Sequence, residues 1–283
     1  MLTRKDGYLR PLEAEVPAAS RSLEARGYAL LEAVFAADAV AALAAEIEAV
    51  YERVPRDDRT DGRRDPGEDD DFRYEMFNRS ALAQQAIAHP RILEVIEPLL
   101  GEDCHVIANT CWRNPPRAQA EHGGGAWHVD SGPHVPRPQG VPWDDRIPYP
   151  VFAIGAHLYL QDCPLACGPT GVIPGSHRSG RPPPRERPFA MDLEYEGQRV
   201  LPLLARAGDV ALFVSDVWHR RLPTDEGDTG RFFLQAHYGR RDIAQRVRTT
   251  AVANHVAPEA EARIASKRER TLLGLHRPFF YDG

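Results

Sequence analysis

The sequence predicts a mainly β domain, an antiparallel sandwich or barrel, preceded by helices. After residue 104 the chain contains short segments rich in β-branched and aromatic residues, each bounded by Gly, Pro or Asp. No helical pattern separates these segments, so the parallel sheet of an alternating β/α fold is not expected. Consecutive strands joined by turns are typical of antiparallel sandwiches and barrels. The candidate strands are HVIANTCWR, PVFAIGAHLYLQDC, QRVLPLLA, DVALFVSDVWHR and RFFLQAHYG.

Two amphipathic helices are predicted before residue 104. From residue 39 to 54 apolar side chains recur every three or four positions, and Asp38 and Pro55 are expected to begin and end this helix. A second apolar stripe predicts a helix from Pro90 to Leu100, with Gly101 after its end. Near the C-terminus, one mostly polar surface helix is predicted over APEAEARIASKRERTLL.

Composition and charge argue against several classes of protein. The chain has 283 residues, a formal net charge of −6 and both signs of charge interspersed, which does not favour a nucleic-acid surface. No apolar run approaches the roughly 20 residues of a membrane span, and the N-terminus lacks the apolar core of a signal peptide. Four cysteines are too few for a disulfide scaffold, so we expect reduced cysteines and a cytoplasmic protein.

Three long loops are expected around the predicted strands. Residues 53–74 are dominated by charge, which is typical of a solvated loop but would also suit a mobile lid over a site. Residues 131–150 and 179–188 are rich in proline, which cannot join a central strand ladder. Long loops of compact domains often carry function, so these three are the candidate substrate determinants.

The segment AWHVDSG at residues 126–132 contains the first candidate metal ligands. On a β-strand, residues i and i+2 point to the same face, so His128 and Asp130 would present an imidazole and a carboxylate side by side. His219 ends the predicted strand DVALFVSDVWHR and, like His128, follows a tryptophan. Two histidines and one carboxylate form the facial triad of non-haem Fe(II) oxygenases. The same three residues would also suit zinc in a hydrolase.

Arg231 is the candidate partner of a co-substrate carboxylate. It begins the predicted strand RFFLQAHYG, and we expect a hairpin to bring it back beside the strand that carries His219. A guanidinium can pair bidentately with the distal carboxylate of 2-oxoglutarate, whose other end would chelate iron.

Strand alternation predicts which side chains share the face of Arg231. If Arg231 points to the interior, Phe233, Gln235 and His237 do so too. In the earlier segment PVFAIGAHLYLQDC, the same rule places His157, Tyr159 and Gln161 on one face. These polar side chains could line a cofactor pocket or form satisfied hydrogen bonds in the core.

These motifs, in this order, resemble the phytanoyl-CoA dioxygenase family of Fe(II)- and 2-oxoglutarate-dependent oxygenases. The resemblance extends over GYALLEAVFAADAVAAL, RILEVIEPLLGEDC, WHVD, CGPTGVIPGSHRSG, AGDVALFVSDVWHR and GRFFLQAHYGRR. It implies a double-stranded β-helix, a jelly-roll or cupin-like barrel, with flanking N-terminal helices and a C-terminal helix. We therefore expect a single oxygenase domain over residues 1–283. It would comprise a mostly helical part at 1–103, the jelly-roll core at 104–240 and a C-terminal extension at 241–283.

The resemblance also implies roles for individual residues. His128, Asp130 and His219 would be the iron ligands, and Arg231 would bind the distal carboxylate of 2-oxoglutarate. Thr170, in GPTGVIPGSH, is expected to contact the cofactor, and His177 in the same motif is expected to be structural. Asn109 and Trp112, on the predicted strand before the triad, are further candidates for the cofactor pocket.

The activity implied by the resemblance is hydroxylation of a C–H bond of a small molecule, with O2 consumed and succinate and CO2 released. Related halogenases carry a small residue in place of the carboxylate, so Asp130 favours hydroxylation, or another oxidation such as desaturation, over halogenation. A secondary metabolite is one candidate substrate, and the oligomeric state is left open. Two other hypotheses are a non-catalytic jelly-roll binding protein and a zinc hydrolase with the same His/Asp/His ligands.

Overall fold

The computed structural model describes residues 2–5, 8–11, 15–54, 71–116, 125–130, 132–144, 146–243 and 256–275. The helices are α1 (Ala18–Arg26), α2 (Ala37–Arg53), α3 (Met76–Arg79), α4 (Ala81–Ile87), α5 (Pro90–Leu100), α6 (Pro258–Ala262) and α7 (Lys267–Leu272). The strands are β1 (Leu2–Lys5), β2 (Tyr8–Pro11), β3 (Tyr28–Leu31), β4 (Asp71–Tyr74), β5 (His105–Asn114), β6 (Ala153–Tyr159), β7 (Thr170–Val172), β8 (Glu194–Tyr195), β9 (Gln198–Arg199), β10 (Leu201–Pro202), β11 (Val210–Val214), β12 (His219–Arg221) and β13 (Arg231–Gly239).

Two antiparallel sheets form the β part of the fold. The large sheet has six strands in the order β3-β11-β6-β13-β5-β4, and the small sheet has three in the order β10-β7-β12. The strands β1 and β2, and β8 and β9, pair only with each other. Among the described residues no strand ladder closes the two sheets into a barrel. The predicted class, mainly β with helices, is confirmed.

The two faces of the large sheet pack against different partners, because successive residues of a strand point to opposite sides. On one face Leu158 and Leu234 join the main hydrophobic core with the helices. On the other face Tyr159 and Phe233 pack with Val172 of the small sheet. This is the alternation predicted for β6 and β13, and it directs the polar side chains of these strands toward the small sheet.

The helices cover the outer face of the large sheet. Helix α5 has the bounds that were predicted, and Gly101 follows it with a positive φ of 97°. The cap predicted for α2 was wrong, because Ala36 is the N-cap and Asp38 lies in the first turn. The Asp38 carboxylate accepts a hydrogen bond there from the backbone N–H of Ala39, at 2.9 Å.

Three other predicted elements were wrong because each is interrupted. The single strand QRVLPLLA is β9, which pairs with β8, and β10, which belongs to the small sheet. The single C-terminal helix is two short helices, α6 and α7, and Ser266 caps the second by accepting from the backbone N–H of Glu269. The single strand DVALFVSDVWHR is β11 in the large sheet and β12 in the small sheet. A turn between them, with Val217 N–H donating to the Val214 carbonyl, carries the chain from one sheet to the other.

The first hundred residues and the loops complete the fold. Helices predominate among the described residues of this part, but β3 and β4 lie at the two edges of the large sheet. Residues 132–144, 146–150 and 180–188 contain no strand, as expected for proline-rich loops. Most of the charged segment 53–74 lies outside the described residues. Within the described part of the chain, every helix is too short or too polar to span a bilayer.

Candidate metal centre and co-substrate pocket

The three predicted metal ligands meet beside the turn between β11 and β12. His128 and His219 form an antiparallel bridge in which each backbone N–H donates to the carbonyl of the other, at 3.0 Å. The backbone N–H of Asp130 donates to the Ser215 carbonyl, also at 3.0 Å. These three bonds fix the segment that carries two ligands against the turn that leads to the third.

The side chains of the triad are close enough for one ion. One ligand atom from each of His128, Asp130 and His219 lies within 4.8 Å of the other two. Asp130 Oδ1 is 3.4 Å from His219 Nε2 and 4.0 Å from His128 Nε2. An ion bonded at about 2.1 Å to each donor spans at most about 4.2 Å between two of them, so both pairs are within its reach.

Backbone carbonyls select the imidazole nitrogen that faces the carboxylate. His128 Nδ1 is 2.7 Å from the Ala126 carbonyl, and His219 Nδ1 is 2.8 Å from the Val217 carbonyl. A carbonyl only accepts, so both rings carry their proton on Nδ1 and leave the Nε2 lone pair available. Metal-ligating histidines usually make this kind of bond through their other nitrogen.

The charges of the triad are set by their mutual contacts. Burial would raise the pKa of Asp130, but His219 and His237 outweigh it and hold that pKa well below its usual range. Burial lowers the pKa of His219, but the Asp130 carboxylate outweighs it and raises that pKa. Desolvation and the adjacent His219 lower the pKa of His128 to about 4, although 50% of its side chain is exposed. Asp130 is therefore ionised, and His128 is neutral at physiological pH.

The tryptophan before each histidine ligand has a structural role that sequence reasoning missed. Trp127 and Trp218 alternate with the histidines and belong to a separate hydrophobic cluster. The Trp127 indole N–H donates to the Ala190 carbonyl and the Trp218 indole N–H to the Arg181 carbonyl, both at 2.8 Å. These bonds hold the segment after residue 180 against the tryptophan side of the small sheet, opposite the triad.

Arg231 lies buried on the face of β13 that points toward the small sheet. Its Nε donates to Asn114 Oδ1 and its Nη1 to the Gly168 carbonyl, each at 3.2 Å, and the guanidinium stacks over Phe233. Among the residues that the structure describes, no carboxylate pairs with this cation. The predicted hairpin with the strand of His219 was wrong, because β13 pairs with β5 and β6. Arg231 instead reaches the small sheet through Gly168, just before β7.

Neutral hydrogen-bonding groups surround this cation. Burial and the nearby charge of Arg231 lower the pKa of His157, and Thr170 Oγ1 is buried 3.3 Å from His157 Nδ1. Asn114 Nδ2 is buried and has no hydrogen-bond partner among the described residues. Burial raises the pKa of Tyr159, so its hydroxyl keeps its proton and can donate. A buried cation with neutral donors beside it is suited to bind a carboxylate.

Comparison with known proteins gives the family. The model of the family described as phytanoyl-CoA dioxygenase (PhyH) matches residues 23–223, which is most of the chain. The chain belongs to the phytanoyl-CoA dioxygenase family. No curated protein matches the sequence at a significant level.

Of three solved structures of similar fold, two contain a metal and 2-oxoglutarate. One is the epimerase SnoN in complex with Fe3+, alpha-ketoglutarate and nogalamycin RO, with 20% identity, a TM-score of 0.61 and coverage of 85% of this chain and 89% of that chain. A second is the non-heme alpha-ketoglutarate-dependent carbocyclase SnoK from nogalamycin biosynthesis. It has 21% identity and a TM-score of 0.58, with coverage of 84% of this chain and 89% of that chain. A third is HygX from Streptomyces hygroscopicus with nickel and 2-oxoglutarate bound. It has 17% identity and a TM-score of 0.59, with coverage of 82% of this chain and 90% of that chain. At these identities the likeness shows a shared fold.

In this family member, Asn109 lies apart from the other predicted site residues. Its Oδ1 accepts from the backbone N–H of Phe77 and its Nδ2 donates to the Gln235 carbonyl, both at 2.8 Å. It pairs across the sheet with Ala236, whose side chain is in the core with the helices. The prediction of Asn109 for the cofactor pocket is therefore not supported by its placement. Trp112, an odd number of residues away on β5, lies on the pocket face instead.

His177 is structural, as expected. It is fully buried, and its Nε2 donates to the Glu24 carbonyl at 2.9 Å. Gly27 leaves room for the ring, since a Cβ at that position would lie 2.7 Å from His177 Nδ1. Burial lowers the pKa of His177 to about 4.

Asp216 anchors the loop that follows Asp130, and sequence reasoning missed it. Its buried carboxylate accepts from the backbone N–H of His134 at 3.0 Å and from His134 Nδ1 at 2.5 Å. Arg137, further along the loop, donates to the Arg178 carbonyl. The proline-rich loop is thus fastened to the turn that leads to His219. No pattern in the sequence links Asp216 to His134, because the contact joins two irregular segments.

A second depression, on another part of the surface, does not compete with this site. It is lined by Leu204, Asp162 and Asp209 among others, and by no residue of the triad. The Asp162 carboxylate accepts from the backbone N–H of Ala207, and Asp209 from that of Ala33. Its carboxylates are thus engaged in stabilising turns.

Proposed function

We propose that this chain is an Fe(II)- and 2-oxoglutarate-dependent dioxygenase that hydroxylates a C–H bond of a small molecule. The proposal rests on the observation that the fold contains two features together. One is a cluster of two histidines and one carboxylate, and the other is a buried guanidinium that has no carboxylate partner among the described residues. Membership of the phytanoyl-CoA dioxygenase family supports it. We further propose one oxygenase domain over residues 1–283 with its jelly-roll core at 104–240. The four free cysteines support a cytoplasmic location.

The metal ligands would be His128, Asp130 and His219. Their donor set is that of the 2-His-1-carboxylate triad, which leaves coordination positions for other ligands. The backbone carbonyls of Ala126 and Val217 hold the two rings so that the Nε2 lone pairs are directed toward Asp130. Because Asp130 is already ionised, no proton has to be removed from it when the cation binds.

Arg231 would hold the distal carboxylate of 2-oxoglutarate. A buried cation without a carboxylate partner is costly, and a bound carboxylate would offset that cost. The free Nδ2 group of Asn114 and the hydroxyl of Thr170 would contribute neutral hydrogen bonds. Asn109 is not part of this proposed set, because its amide is used on the helix side of β5.

Iron and 2-oxoglutarate, when bound, supply the O2-dependent oxidising power for C–H cleavage, with succinate and CO2 as products. The chain contributes fixed ligand geometry, charge pairing and exclusion of water, since the His219 and Asp130 side chains are only 6% and 18% exposed. His128 is the exposed member of the triad, so we propose that the substrate approaches from its side. The 131–150 loop, which Asp216 fastens beside the site, is our candidate for the substrate determinant.

The decisive experiment measures succinate formation from 2-oxoglutarate under O2 with added Fe(II). Turnover without the true substrate is sufficient for this assay. We expect activity in the wild type, background levels for His128→Ala and Asp130→Ala, and wild-type activity for Asp38→Ala. Asp38 is an exposed aspartate on α2 and serves as the matched control.

Two outcomes would overturn the proposal in favour of its rivals. Hydrolytic activity that requires zinc and neither O2 nor 2-oxoglutarate would identify a hydrolase with the same three ligands. A folded wild-type protein that binds neither Fe(II) nor 2-oxoglutarate would indicate a non-catalytic binding protein.

A further inference from the structure

One amide in the interior connects two histidines of the pocket. Gln235 lies in the middle of β13, and its Oε1 is 2.8 Å from the indole nitrogen of Trp112. Its Nε2 is 3.2 Å from His157 Nε2 and 2.8 Å from His237 Nε2. Three polar side chains thus contact a single amide group.

The indole N–H of Trp112 fixes the orientation of the Gln235 amide, and this orientation determines which nitrogens of the two histidines carry protons. An indole N–H can only donate, so the group that faces Trp112 must be the oxygen of Gln235. The two hydrogens of the amide nitrogen are then donated to His157 and His237. An imidazole nitrogen that accepts carries no hydrogen, so a ring that accepts from the amide through Nε2 carries its proton on Nδ1.

Each Nδ1–H has an oxygen in front of it. His157 Nδ1 is 3.3 Å from Thr170 Oγ1. His237 Nδ1 is 3.6 Å from Asp130 Oδ2, while the other oxygen, Oδ1, is the one nearest His219 Nε2 at 3.4 Å. The positive end of the His237 N–H dipole therefore faces one oxygen of Asp130 and favours the orientation that directs the other oxygen to the triad.

We propose that Gln235 is a positioning residue of the metal centre. Held by Trp112, it sets the tautomer of His237, and His237 in turn orients the Asp130 carboxylate. The inference rests on the proposed function, in which Asp130 is a metal ligand. Groups that orient a ligand in this way typically contribute 10- to 100-fold to metal affinity, so that is roughly the effect we expect.

Two substitutions test the amide itself. Gln235→Glu keeps the shape and can still accept from Trp112, but a carboxylate cannot donate to the histidines, so His237 must then carry a proton on Nε2 to bond to it. Gln235→Leu removes both functions. Gln161→Leu is the matched control, because the Gln161 amide donates to the Gly230 carbonyl at 2.7 Å and contacts neither histidine.

Two measurements are needed, and neither depends on turnover. Nitrogen-15 NMR of the metal-free wild type is expected to show Nδ1–H tautomers for His157 and His237, and a proton on Nε2 of His237 in Gln235→Glu. Titration with Co(II) alone is expected to give a dissociation constant about 10- to 100-fold higher in both Gln235 variants and unchanged in Gln161→Leu.

Several results would overturn the inference. One is an Nε2–H tautomer of His237 in the wild type. Another is wild-type Co(II) affinity in folded Gln235 variants. If those variants do not fold, Trp112→Phe tests the effect on affinity, since it removes the indole hydrogen bond while keeping an aromatic ring, and it must also weaken Co(II) binding.

Asp130→Asn separates this inference from the proposed function. If Asp130→Asn binds Co(II) as tightly as the wild type, the metal centre itself is wrong. If Asp130→Asn binds poorly while the Gln235 variants bind normally, only the positioning role is wrong.

Discussion

Replacement of Arg231 gives the sharpest test of the co-substrate pocket. Arg231→Gln removes the buried charge while keeping a polar side chain, and Arg231→Lys keeps the charge but loses the planar fork. In the proposed complex the guanidinium already donates to Asn114 and Gly168 and must also face the distal carboxylate. An ammonium group has three donors, too few to keep both protein acceptors and also pair bidentately with the carboxylate.

The two variants should raise the dissociation constant of 2-oxoglutarate by different factors. Loss of one partner of a buried charge pair costs about 2–5 kcal/mol, so Arg231→Gln should raise the dissociation constant of 2-oxoglutarate about 30- to 5,000-fold. Loss of one charge-assisted hydrogen bond costs about 1.5–3 kcal/mol, so Arg231→Lys should raise it about 10- to 150-fold.

Calorimetric titration of the metal-loaded protein with 2-oxoglutarate, without O2, measures these constants directly. Arg113→Gln is the matched control, because Arg113 is an exposed arginine on the neighbouring strand β5. Titration with 2-oxopentanoate, which has a methyl group in place of the distal carboxylate, provides the second control. The wild type and Arg231→Gln should bind that compound with similar affinity.

Equal affinities of the wild type and Arg231→Gln for 2-oxoglutarate would refute the reasoning. So would an equal loss for 2-oxopentanoate, because the effect would then come from damage to the pocket and not from the lost charge pair.

Three further predictions concern the fold around the site. A Cβ at Gly155 would lie 2.6 Å from the Phe213 ring, so Gly155→Ala should lower the free energy of unfolding by about 1–3 kcal/mol in urea denaturation. The pKa of His177 falls from 6.5 to about 4 on folding. The unfolded state therefore takes up this proton first, and stability should fall between pH 6.5 and pH 4 by about 3 kcal/mol more in the wild type than in His177→Asn. Asp216→Asn loses the charge that binds His134, so amide hydrogen exchange of residues 132–137 should accelerate about 10- to 150-fold.

Each of these predictions has a control within the chain. Gly125→Ala, where a Cβ would meet nothing within 4 Å, should be tolerated, and equal stability of Gly155→Ala would contradict the crowding argument. Parallel curves of stability against pH for the wild type and His177→Asn would show that His177 does not titrate on unfolding. Asp192, with an 80% exposed side chain, is the control for Asp216, and unchanged exchange in Asp216→Asn would rule out the anchor.

Alternation along a strand is why much of the pocket could be predicted from sequence. The bounds of β13 and the shared face of Arg231, Phe233, Gln235 and His237 follow from local spacing alone. The metal ligands also rest on a short local signal, the HxD segment, combined with one distant histidine.

Pairing between strands could not be predicted in the same way. The sequence DVALFVSDVWHR is continuous in β propensity, so nothing local indicates that its two halves belong to different sheets. The hairpin expected between β12 and β13 failed for the same reason, because the sheet partner of each strand depends on contacts far away in the chain.

The two asparagines of β5 illustrate a different limit of prediction from sequence. Asn109 and Asn114 are an odd number of residues apart, so on a regular strand they must point to opposite faces. Residue type alone does not decide which of them faces the pocket. The contact of Asn109 with Phe77 and that of Asn114 with Arg231 decide it, and both are tertiary contacts.

The register of β13 ties the stability of the fold to the chemistry of the site. Its outward face, with Phe232, Leu234 and Ala236, is buried in the core with the helices. A slip of one residue would turn those side chains into the pocket and direct Arg231 and His237 into the helix layer, where a cation would be buried in an apolar core. Exchanging the two faces would therefore destabilise the fold in two ways, because apolar burial would be lost and polar groups would be buried in the core. The apolar face thus specifies the register that sets the proposed carboxylate-binding arginine and the metal-positioning histidine at opposite ends of one strand.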